Sequence, residues 1–140
     1  MSNHFIMRII RWLACLGYAT LLTLLLLTPD PAALMGLKEI PWFPWGDIGI
    51  HICAFLLLAT LVHATRWPKP PHWLLIVLLL GYGATTETLQ AFVPGRSTEL
   101  KDYLDNCIGV ALGSGIYWYM QRKWQSWNQK KKECFDYEHN

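Results

Sequence analysis

The chain has 140 residues, 53% of them hydrophobic and only 16% charged, with a net charge of +2. A water-soluble domain carries about 25% charged residues, so this composition argues against an ordinary solvated surface and for one domain in a bilayer. The basic residues sit at the chain ends and in particular loops, a pattern that speaks of membrane orientation and not of nucleic-acid binding.

The 8 Trp and 6 Tyr suit a membrane protein, which places such side chains at headgroup level. The 4 Cys show neither zinc-finger nor CxxC spacing. Cys15, Cys53 and Cys107 lie in apolar runs and read as small buried hydrophobes. A Cys53–Cys107 disulfide would join two outer positions, but nothing else resembles a disulfide framework.

Taken in order, the first apolar run covers 12–28, preceded by Arg8 and Arg11. At about 1.5 Å per residue it reaches roughly 25 Å, a marginal span. A cleaved signal peptide also begins with positive charge, but Pro29 and Pro31 crowd the expected cleavage boundary, so a retained anchor is the better reading. Residues 29–46 form a proline-interrupted loop in which Trp42, Phe43 and Trp45 resemble an interfacial anchor. The second span covers 48–65, opened by Asp47, with His51 one turn inside. A rigid basic loop precedes the third span, 73–92. That span is apolar at first and ends on Thr85, Thr86, Glu87, Thr88 and Gln90. A tight connection over 93–101 leads to the fourth span, 103–119. The expected fold is therefore all-α: an integral membrane four-helix bundle with short loops over 1–120, followed by a basic tail over 121–140 that is either solvated or laid on anionic lipid.

Basic residues alternate between loops. Arg8 and Arg11, then Arg66 and Lys69, then Arg122, Lys123 and Lys130 to Lys132 mark one side, which places both termini in the cytoplasm. The first and third loops then face outward.

This topology gathers polar groups at the outer end. Asp47 and His51 open the second helix, Glu87 and Gln90 close the third, Arg96 follows in the loop, and Asp102 and Asn106 open the fourth. His51 follows Asp47, and Asn106 follows Asp102, by four residues, so each pair shares a helix face. Asn106, Gly109 and Gly113 form a stripe that admits close approach of another helix. A carboxylate below the interface is costly unless paired, and Arg96 is the expected partner of Glu87 or Asp102 because its planar fork binds carboxylates bidentately. The same fork suits a phosphate or a ligand carboxylate. The competing reading is a polar plug in which Asp102 caps the fourth helix and Gln90 and Asn106 bond across helices. Asp47, His51, Glu87 and Asp102 are ligand types that suit a divalent cation, but their spacing is unspecific, so no metal and no cofactor is assigned. The other histidines, His63 and His72 among them, receive no role.

The stretch from Glu87 through Gln90, Pro94, Gly95 and Arg96 to Asp102 and Asn106, with Gly109 and Gly113, resembles the VanZ-like family. Asp47 and His51 match its helix opening, while Ile48 departs from the Lys common there. The resemblance implies a bacterial cytoplasmic (inner) membrane protein. The family takes its name from a protein linked to resistance to teicoplanin, a glycopeptide, and its biochemical activity is unsettled.

Three functions are weighed. One is a cell-envelope protein that engages a surface ligand: a lipid-linked wall precursor, a phospholipid headgroup or a glycopeptide. Arg96 would meet the anion, with Glu87, Gln90, Asp102, Asn106, Asp47 and His51 shaping the pocket. Another is a small membrane enzyme with Glu87 or His51 as general base, although no Gly-x-Ser-x-Gly or His-Glu-x-x-His motif is present. The last is an assembly subunit packing through Gly109 and Gly113. Partners are thus membrane lipids and one such ligand, with no nucleic acid.

Overall fold

The computed structural model describes residues 3–29, 46–65, 71–96 and 98–138, with side chains over 5–29, 49–65, 71–96 and 98–131. Among them are four helices and no strand: α1 (Asn3–Leu26), α2 (Gly46–Ala64), α3 (His72–Gln90) and α4 (Leu100–Glu138). The aromatic cluster Trp42, Phe43 and Trp45 lies outside the described residues.

Two helices extend well beyond their expected spans. α1 begins at Asn3, ahead of the apolar run, because Arg8 and Arg11 are good helix formers and do not stop it. α4 begins at Leu100 and runs for 39 residues, taking in the segment expected as a separate tail. No Pro or Gly interrupts that segment, and a Lys-rich sequence sustains a helix already nucleated in the bundle.

α3 starts directly after Pro71, whose carbonyl accepts from Leu74 N at 2.9 Å. Its end is followed by a turn in which Arg96 N donates to Val93 O at 3.1 Å. Pro94 and Gly95 occupy the two central positions, and Gly95 has φ 81. A type II turn requires positive φ at its second central residue, which Gly adopts without steric cost. The Pro-Gly pair therefore turns the chain sharply and delivers Arg96 beside the end of α1.

The helices alternate in direction. α1 and α3 run together, as shown by Thr23 Oγ1 and Tyr82 OH 2.8 Å apart and by Gln90 Nε2 donating to Leu26 O at 3.1 Å. α2 and α4 run the other way, His51 meeting Asn106 near one end and His63 meeting Ser114 near the other. α2 touches the other three helices: Tyr18 OH donates to Ala54 O at 3.0 Å, Phe55 packs on Gly83 of α3, and Gly109 of α4 lies on Ile52 and Leu56. Its buried stripe is His51, Phe55, Ala59 and His63, spaced by four. The core around it comprises Leu22, Leu26, Leu58, Leu79 and Val110.

Gly109 and Gly113 explain how α4 comes so near. A Cβ on Gly109 would stand 2.5 Å from Ile52 O, and one on Gly113 would press into Leu56 O and Ala59. The small-residue stripe is thus used inside the chain, against α2. This corrects the reading that assigned it to a partner subunit: the nearest apolar surface for these glycines is the chain's own second helix.

Cys15, Cys53 and Cys107 are free, with no Cys53–Cys107 disulfide. Cys15 is buried as expected, but Cys53 is exposed and Cys107 half-buried. Membership of an apolar run does not bury a side chain when the run's outer face has no protein neighbour.

Candidate functional site

Of the polar residues singled out in the sequence, His51, Glu87, Asp102 and Asn106 come together, at the end of the bundle where α1 and α3 finish and α2 and α4 begin. Asn106 is the hub. Its side-chain amide Nδ2 donates to Glu87 Oε1 at 3.1 Å, and its Oδ1 lies 3.0 Å from His51 Nδ1. With Nδ2 committed to the carboxylate, Oδ1 is the acceptor, so Nδ1 carries the proton. His51 Nδ1 also lies 3.8 Å from Glu87 Oε1. All three side chains are buried: His51 is 6%, Glu87 3% and Asn106 1% exposed.

Local sequence explains the convergence. Gly83, Thr86, Glu87 and Gln90 fall on the buried face of α3. Gly83 leaves room for the Phe55 ring and brings α3 to within side-chain reach of Asn106. Thr86 turns its hydroxyl back to Gly83 O at 2.9 Å, which satisfies it without entering the network. Gln90 ties the end of α3 to Leu26 O of α1.

Arg96 is placed differently from the expectation. Its Nε donates to Thr28 O at 3.3 Å, at the open C-terminal end of α1. An unsatisfied helix-end carbonyl is a good acceptor for a cation. The basic side chain within 4 Å of the Glu87 carboxylate is His51, not Arg96. Asp102 is likewise not the cap of α4. The helix starts two residues earlier, so Asp102 stands in its first turn, where a negative charge still complements the helix dipole. Asp102 is half-buried, and Asp47, whose backbone opens α2, has its side chain outside the described residues.

A nitrogen of His51 and one carboxylate oxygen each of Glu87 and Asp102 lie within 4.8 Å of one another. These three could hold a metal ion. Glu87 Oε2 is buried and has no hydrogen-bond partner among the described residues.

Two features were missed in the sequence. Asp105 is 6% exposed, and its Oδ2 is also buried without a partner among the described residues. Its position three residues after Asp102 on one face was the available signal. At the opposite end His63 is buried, its Nε2 lies 3.1 Å from Ser114 Oγ, and its ring stacks on Tyr117 at 5.3 Å. His63 follows His51 by twelve residues, three steps of four along α2, so its burial was legible in the spacing.

No curated protein and no solved structure matches the chain. A family profile described as VanZ/LLP1 matches residues 5–121. The match takes in every residue of the cluster and the resemblance carried by Glu87 to Asn106, and the chain belongs to the VanZ/LLP1 family.

Proposed function

We propose that this VanZ/LLP1 family member is a multi-pass protein of the bacterial cytoplasmic membrane, with both termini in the cytoplasm, that engages a polar or anionic ligand at its outer end. The observation that carries the reading is the cluster itself. An ionisable acid is held buried by side chains from two other helices, with one oxygen still unpartnered among the described residues, at the end where the flanking loops are least basic.

Membrane residence is supported by α1. Phe5–Leu26 is 22 residues long with mean hydropathy 1.8, and only 17% of its apolar window is buried. Its length of about 33 Å covers a hydrocarbon core of about 30 Å. The core helix of a soluble protein would be mostly buried. α1 also contributes Leu22 and Leu26 to the core. Leu13, Leu24, Val77, Leu78, Leu104 and Leu112 are exposed across three helices. In water these apolar side chains would be left without partners, whereas lipid would cover them.

The test is binding by detergent-purified protein of a lipid-linked wall precursor, vesicles of anionic phospholipid, and teicoplanin, the last because of the family's name. Wild type and Arg96→Ala are compared, each with a thermal melt. Saturable binding that Arg96→Ala loses at unchanged Tm supports the ligand site. No binding to any of the three, with a sharply lower Tm for the variant, makes the cluster a structural plug that joins four helix ends.

A further inference from the structure

Three acids lie buried or half-buried at this end of the bundle: Glu87, Asp102 and Asp105. Against them, among the described residues, stand one guanidinium, Arg96, bonded to a backbone carbonyl, the exposed ammonium of Lys101, and one imidazole, His51, bonded to Asn106. An anion arriving here meets an excess of negative charge. Two carboxylate oxygens, Glu87 Oε2 and Asp105 Oδ2, are buried with no hydrogen-bond partner among the described residues. A buried carboxylate oxygen without a donor is costly to retain, and Asn106 accounts only for Glu87 Oε1.

We propose that His51, Glu87 and Asp102 hold a divalent cation of the zinc or manganese class. The ion neutralises the acids and, on the ligand reading above, supplies the positive charge through which an anionic group docks. Their donor atoms already lie within 4.8 Å of one another. A tetrahedral ion with bonds of about 2.0–2.2 Å wants its donors about 3.3–3.6 Å apart, so the three must draw in. Asp102 can do this, being half-buried in the first turn of α4. One imidazole and two carboxylates favour zinc or manganese over calcium or magnesium, which prefer oxygen alone. Three protein ligands leave a coordination position open for an oxygen of the docking group. Asn106, bonded to both His51 and Glu87, keeps two of the ligands in register, as outer-shell partners of metal ligands do.

The full chain in lipid nanodiscs, stripped with chelator, is titrated with zinc, manganese and magnesium chlorides by calorimetry, with bound metal counted by mass spectrometry. Glu87→Gln, Asp102→Asn and His63→Gln are run alongside, the last to count adventitious binding at the opposite end. The expected result is one zinc or manganese ion per chain, with Kd raised about tenfold or more in Glu87→Gln and Asp102→Asn and unchanged in His63→Gln. Absence of a stoichiometric ion, or equal affinity in all four proteins, overturns the proposal. Should Glu87→Gln fail to fold, the half-buried Asp102→Asn decides alone. Ion binding with no binding of the three ligand probes upholds the cation site and sinks the ligand reading. Ligand binding by a protein that takes up no ion does the reverse.

Discussion

Asn106 of α4 donates its side-chain amide to Glu87 of α3 at 3.1 Å, deep enough that the donor residue is 1% exposed and the acceptor 3%. The bond links helices whose only short connection is the turn at Pro94 and Gly95, and Asn106 Oδ1 extends it to His51 on α2. Three helices are thereby registered by one amide side chain.

Removing that side chain strands both neighbours. Asn106→Ala leaves Glu87 Oε1 and His51 Nδ1 buried without this partner, and each such loss costs about 1–3 kcal/mol. The variant should lose stability on that scale in reversible detergent unfolding. A double-mutant cycle with Glu87→Gln should show coupling of about 0.5 kcal/mol or more. Strict additivity would mean that the two residues do not act as a pair.

The glycines of α4 offer a graded comparison. Gly109→Ala and Gly113→Ala drive a methyl group into the backbone carbonyls of Ile52 and Leu56, and backbone cannot step aside as a flexible side chain can. Overpacking of this kind costs about 1–3 kcal/mol. At Gly115 a methyl group would project into open space, so Gly115→Ala should be neutral or gain up to about 1 kcal/mol from helix propensity. Equal melting temperatures for all three variants would contradict the close α2–α4 packing.

Phe55 is fully buried, its ring seated on Gly83 and 5.9 Å from the ring of Tyr82. Phe55→Ala should cost about 3–5 kcal/mol. Leu57, two residues on and facing outward, should tolerate Ala with a change in Tm several-fold smaller. A similar loss at both positions would indicate that Leu57 is covered by a neighbour.

Topology can be read with a membrane-impermeant maleimide on intact cells, in a background lacking the four native cysteines. Thr98→Cys, in the exposed connection before α4, should be labelled from outside. Ser126→Cys, in the exposed helical continuation of α4, should be labelled only after the cells are opened. The opposite pattern would invert the orientation, and labelling of both in intact cells would sink the multi-pass reading.

The all-helical class, the number of long helices and the meeting of His51, Glu87 and Asn106 were legible in residue order alone. Apolar runs and their interruptions mark helices, and four-residue spacing marks faces, because both follow from the 3.6-residue turn. The Glu87-to-Asn106 motif also carried the family. Which partner each polar group takes was decided only by tertiary structure. Arg96 was the chemically natural mate of Glu87, yet the Pro94–Gly95 turn sets it beside the free carbonyl of Thr28 and leaves Glu87 to Asn106 and His51. The glycine stripe announced a close approach without naming the helix, and the alternating directions of the bundle brought α2 against it. Asp105 went unnoticed because one residue's turn about a helix axis, about 100°, separates burial from exposure, and only packed neighbours determine on which side of that line a residue falls.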